Sequence, residues 1–171
     1  MSEIPITAVD RPEPPIAADE RTMLQAWLDY HRATLWNRCA GLTEEQLRTA
    51  AIPTTNLTLI GLVRHMTDVE NGWFGDFALR WSPRYYGPDN PDGEFDDVAT
   101  ADIPADVAAF RAEWALSDSG VATLGLDHEH TDERGRTFSL RWVYTHMIEE
   151  YARHNGHADL IREAIDGTTG E

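Results

Sequence analysis

Apolar residues return along this chain at intervals of three and four, the spacing that gathers them on one face of an α-helix. From Asp19 to Cys39 the stripe is Met23, Leu24, Trp27, Leu28, Leu35 and Trp36, and Gly41 is placed to end it. A clearer stripe follows Thr58, whose hydroxyl can cap a helix: Leu59, Leu62, Val63, Met66, Val69, Trp73, Phe74 and Phe77, a run expected to reach about Trp81 before Pro83 stops it. Pro104 opens a third pattern with Val107, Phe110, Trp114 and Leu116, which Gly125 should close. Ser139 can cap a fourth and longest one that ends at Gly167 and tolerates an internal Gly156.

The segments between these runs have their own chemistry. Residues 1–18 hold Pro5, Pro12, Pro14 and Pro15 and predict an extended arm, so the folded domain spans residues 19–171. Thr43-Glu44-Glu45-Gln46 follows the capping-box pattern and marks a short helix closed by Pro53. SPRYYGPDNPDGEFDD is rich in proline, glycine and acid, which predicts a long surface loop with Tyr85 and Tyr86 at a pocket mouth. DHEHTDERGRTFS can form a small hairpin turning at Arg134-Gly135. Four long amphipathic helices with these connections make an all-α four-helix bundle the economical architecture.

Composition narrows the class without changing that picture. The 171 residues suit one domain, and 42% hydrophobic with 26% charged residues is ordinary for a globular protein. No apolar stretch approaches the roughly 20 residues of a membrane span, and the amino terminus lacks the basic start and apolar run of a secretory signal, so a cytoplasmic protein is expected. A formal net charge of -16 would repel nucleic acid and anionic lipid, so neither is an expected partner. The single Cys39 excludes a thiol-rich zinc site and reads as a small buried hydrophobe.

The chemistry sits on the last helix. At about 100° per residue from His146, His157 falls at about 20°, Glu150 at about 40° and His154 at about 80°. Val143, Met147, Ile161 and Ile165 lie on the same side, so polar groups occupy the middle of a stripe meant for the core. A carboxylate there is tolerated when it is paired, protonated or bound to metal. Glu150-x-x-x-His154 can grip one cation from successive turns, unless Glu150 pairs with Arg141, Arg153 or another arginine. The second long helix offers one histidine, His65, as a third ligand, with Gly61 and Gly72 on its flank expected to leave room for a substrate. Two imidazoles and a carboxylate suit a divalent metal, zinc foremost, with nickel or ferrous iron as alternatives, and leave coordination positions open.

Around that set, His157 and His146 are candidates for catalytic base, neighbour to a ligand, or replacement for Glu150, with His157 ranked first. Trp73 is a candidate wall of the cofactor pocket near His65. His128 and His130 read as solvated loop residues and His31 as structural. Trp27, Trp36, Trp114 and Trp142 read as core.

LTLIGLVRHMTDVENGWF and HMIEEYARHNGHADLIREAIDG resemble the second and last helices of the DinB-like superfamily, and the likeness covers nearly all of the chain after about residue 18. The family pattern of a histidine on the second helix and His-or-Glu, three residues, His on the last maps onto His65, Glu150 and His154. Many members carry histidine where this chain has Glu150, and the His/Glu/His version is similar to the mycothiol-dependent maleylpyruvate isomerase branch. The resemblance implies a bundle that is often a homodimer, and a metal used with a low-molecular-weight thiol cosubstrate in S-transfer or isomerisation of a small electrophile. Metal-activated hydrolysis and a non-catalytic, metal-binding stress-response role are the alternatives.

Overall fold

Each long helix opens on a side chain that accepts from a backbone N–H of its first turn. Asp19 takes that of Thr22, Thr58 that of Gly61, Asp102 that of Ala105 and Ser139 that of Trp142. The computed structural model describes residues 6–78 and 80–170. It is an all-α bundle of α1 (Glu20–Cys39), α3 (Leu59–Phe77), α5 (Ile103–Val121) and α6 (Leu140–Asp166). Short helices α2 (Glu44–Leu47) and α4 (Gly93–Asp96) lie in the connections, and β1 (Glu129–Thr131) pairs with β2 (Thr137–Ser139) as an antiparallel hairpin. Gly41, Gly135 and Gly167 have positive φ where α1, the hairpin turn and α6 end, conformations in which a Cβ would be strained.

Within the bundle α3 lies chiefly against α5 and α1 against α6, with α3 also meeting α6 and α1. Leu28, Leu35, Leu62, Met66, Phe110 and Met147 are among the buried side chains between them. The core also encloses a charged pair. Arg32 of α1 and Glu70 of α3 are almost wholly buried and meet through two hydrogen bonds of 2.8 Å. The Tyr151 hydroxyl of α6 donates to the same carboxylate at 2.5 Å, so one polar knot ties three helices together. Arg162 of α6 donates to the carbonyls of Arg38 and Ala40 at the end of α1, and Arg21 to those of Val121 and Leu124 at the end of α5.

Of the expected arm, residues 1–5 lie outside the described residues. The rest is extended and docked on α1: the Asn37 side chain bonds both N–H and C=O of Val9, and the Trp36 indole donates to the Thr7 carbonyl.

The structure corrects the sequence reading in several places. α3 stops at Phe77, short of Trp81, because the N–H groups of Ala78 and Arg80 turn back onto the Gly75 carbonyl and the Trp81 ring folds over Gly72. α5 ends at Val121, before Gly125. The segment after Pro83 is folded down against the bundle: the Asp68 carboxylate accepts the N–H groups of Arg84 and Tyr85, and Gly93 and Glu94 of α4 are buried. Gly61 and Gly72 leave no room for a substrate. A Cβ at Gly61 would lie 2.8 Å from the Phe95 ring, and one at Gly72 3.1 Å from Trp81, so both glycines admit aromatic side chains of this segment. Tyr85 lies under the Arg64 guanidinium, 4.5 Å from its ring centre. Trp27 and Trp142 are not core residues; both are more than a third exposed, Trp142 at 46%.

Candidate metal centre

His65 stands on α3 and Glu150 and His154 on α6, and the packing of those helices brings one donor atom of each within 4.8 Å of the others. Nitrogen and oxygen ligands at about 2.0–2.2 Å from a tetrahedral ion sit about 3.3–3.6 Å apart, a gap that small side-chain adjustments close. All three side chains are partly buried, which limits the water that competes for the site. The donor chemistry suits a divalent metal.

Each histidine has one ring nitrogen close to a side chain outside the three-residue set. The Nδ1 of His65 is 3.1 Å from Glu94 Oε1, and its ring lies 5.4 Å from that of Phe95 and 4.7 Å from that of His154. The Nδ1 of His154 is 3.4 Å from His157 Nδ1, and its Nε2 is 3.5 Å from Glu150 Oε2. Burial, followed by the nearby rings of His65 and His157, pushes His154 down to about 4, so it is neutral at pH 7, the form in which imidazole binds metal.

Glu150 turns its other oxygen to His146, whose Nε2 is 3.4 Å from Oε1. The arginine pairing weighed from sequence does not form: Arg153 binds Glu149, and Arg141 binds Glu20 and Asp127. His146 stacks on Trp142 at 4.8 Å and meets Trp73 edge-on at 4.8 Å, with Nδ1 3.7 Å from Glu149. His146, Glu149 and Glu150 form a second cluster of close donors among the described residues. Both His146 and Glu149 come from α6 alone, and Glu149 is exposed and already held by Arg153. The set that spans α3 and α6 is therefore the better candidate for a metal site.

Trp73 reaches this region through His146 rather than through His65. With Phe138 and Trp142 it walls a cleft of about 340 Å³ at the hairpin, whose rim carries Glu129 and Arg136. His157 contacts the site through His154. His128 is exposed, while His130 is partly covered by Phe77 and Phe138. His31 accepts no role here and packs beside Asn155. Cys39 is buried, and burial pushes its thiol up to about 12.

Glu94 is the site residue that sequence reasoning missed. It lies 29 positions from His65, and composition does not separate it from Asp92, Asp96 and Asp97 around it. Only the folding of α4 against α3 singles it out.

Among the described residues no helix is long and apolar enough to cross a membrane. The family model for mycothiol-S-transferase matches residues 23–167, and so takes in the four long helices except the first turn of α1, and all the residues of the site. No curated protein and no solved structure matches the chain significantly.

Proposed function

This chain belongs to the mycothiol S-transferase family, and we propose that it is a metal-dependent enzyme that joins the sulfur of a mycothiol-type, low-molecular-weight thiol to a small electrophile. The observation that carries this reading is the convergence of His65, Glu150 and His154 from two helices, with their donor atoms within 4.8 Å and His154 neutral. These three would hold the metal, zinc foremost and nickel or ferrous iron as alternatives. When bound, it supplies Lewis acidity that lowers the pKa of a thiol.

The remaining work falls to the chain's own side chains. Glu150 adds one negative charge to two neutral imidazoles, which keeps a held dication net positive and attractive to a thiolate. His146, wedged between Glu149 and Glu150 and braced by two indoles, can take up the proton that the thiol gives up. His157 sets the orientation of His154 through its Nδ1. The cleft walled by Trp73, Phe138 and Trp142 opens beside His146 and offers apolar surface to the body of a substrate. Cys39 is too buried to act as the nucleophile, so the reacting sulfur comes from the cosubstrate.

Isomerisation is the second reading, favoured by the carboxylate in the donor set. The two differ in the fate of the thiol, which a transferase consumes and an isomerase returns. Zinc-loaded protein would be incubated with mycothiol and monobromobimane, and thioether formation followed by mass spectrometry. Turnover above the uncatalysed rate, lost by 100-fold or so in His154→Ala, is expected if the metal set does the chemistry. Equal rates for wild type and variant would contradict the reading.

A further inference from the structure

We propose that Glu94 is a positioning residue that fixes the tautomer and orientation of His65, so that Nε2 is the nitrogen presented toward Glu150 and His154. The proposal rests on the metal reading above and adds to it a fourth participating side chain, from a segment outside the bundle.

Glu94 is 6% exposed, and its Oε1 lies 3.1 Å from His65 Nδ1. Its other oxygen is buried without a hydrogen-bond partner among the described residues. The His65 bond is thus the side-chain pairing that this carboxylate has, and a buried carboxylate is poorly tolerated with so little. An ionised carboxylate accepts and does not donate, so the shared proton sits on Nδ1 and Nε2 carries the lone pair. A cation on Nε2 would polarise that N–H and place positive charge within reach of Glu94. That charge would offset the cost of burying an acid at this spot.

The backbone holding Glu94 is fixed as closely as the side chain. A Cβ at Gly93 would meet the Tyr85 carbonyl oxygen at 2.2 Å, so only glycine allows this approach. On the other side, Phe95 lies on the His65 ring and fills the space over Gly61. Arg64 reaches the Glu94 carbonyl at 3.4 Å. Residues 93–95 therefore form a clasp that meets His65 from two directions, and Gly61 and Gly93 are the two glycines that let it close.

The test uses full-length protein with 15N-labelled histidine, in wild type, Glu94→Gln and Glu94→Ala. Helicity by circular dichroism checks that each variant folds, and Glu94→Gln preserves volume if Glu94→Ala fails to. Long-range proton–nitrogen spectra of the metal-free protein report the His65 tautomer, with the signal assigned by its loss in His65→Gln. Zinc affinity is measured separately by competition with a chromophoric chelator. Wild type is expected as the Nδ1–H tautomer. Glu94→Ala should shift toward Nε2–H and bind zinc about 10- to 100-fold more weakly, with Glu94→Gln between the two. A folded Glu94→Ala with unchanged tautomer, or with unchanged zinc affinity, overturns the proposal. Wild type that binds no zinc overturns it together with the metal reading, and that failure is read from the wild type alone.

Discussion

The fold opposes the charged forms of His154 and His31, the first pushed down to about 4 and the second lowered by burial. An unfolded chain protonates both at about 6.5. Between these values the unfolded state binds more protons, so stability falls as pH drops from 6.5 toward 4. The partly buried Asp29, Asp68 and Asp106 carry the opposite sign, because burial raises them above 3.8 and the folded form takes up their protons first. Metal-free protein is therefore expected to melt at lower temperature at pH 5 than at pH 7, with His154 contributing on the order of 2 kcal/mol over that interval. A melting point that holds or rises over that interval would contradict the dominance of these histidines over the three aspartates. Cys39 gives a second residue-scale test: with its thiol held up at about 12, it should resist iodoacetamide at pH 8 in the native protein and react once unfolded. At this scale Glu150 and His154 stand out in the sequence because polar groups in the middle of an apolar helical stripe contradict its pattern, and His65 because it is the one histidine of its helix. Glu94 gave no such signal, since its partner is distant in sequence and its neighbours are acids like itself.

The long helices show how local rules and packing share the work. Their starts were legible because a capping side chain is a short-range device, and Thr58 and Ser139 cap where the sequence places them. Their ends were less so. α3 stops at Phe77 because Trp81 folds back onto a glycine one turn inside the helix, a contact that periodicity does not contain. The Arg32–Glu70–Tyr151 knot was also invisible, because each residue alone reads as an ordinary polar position and only the meeting of α1, α3 and α6 buries them together. Removing Glu70 strips the buried Arg32 of its two-bond partner and leaves it only the half-exposed carboxylates of Asp29 and Asp118, at 3.0 and 2.9 Å. Glu70→Ala is expected to cost about 3–5 kcal/mol in chemical denaturation, while the double change Arg32→Met with Glu70→Leu should cost much less. A double variant no more stable than Glu70→Ala would mean that the knot contributes through its shape rather than its charge.

For the whole molecule, the bundle acts as a frame that sets one histidine of α3 against a Glu-x-x-x-His pair of α6, with a clasp from the segment between α3 and α5 closing on the first. The four-helix architecture and the hairpin were readable from spacing and turn residues. The docking of residues 82–102 was not, because a segment rich in proline and acid looks the same whether it is solvated or held by Asp68 and two glycines. The chain's family and the geometry of its donors point to one claim, that His65, Glu150 and His154 hold a metal together. The most direct test is elemental analysis of protein purified without an affinity tag, compared with His65→Ala and His154→Ala. About one zinc, nickel or iron per chain in wild type, lost in both variants, is the result expected. A full equivalent of metal retained by both variants, or none bound by wild type after reconstitution, would contradict the account.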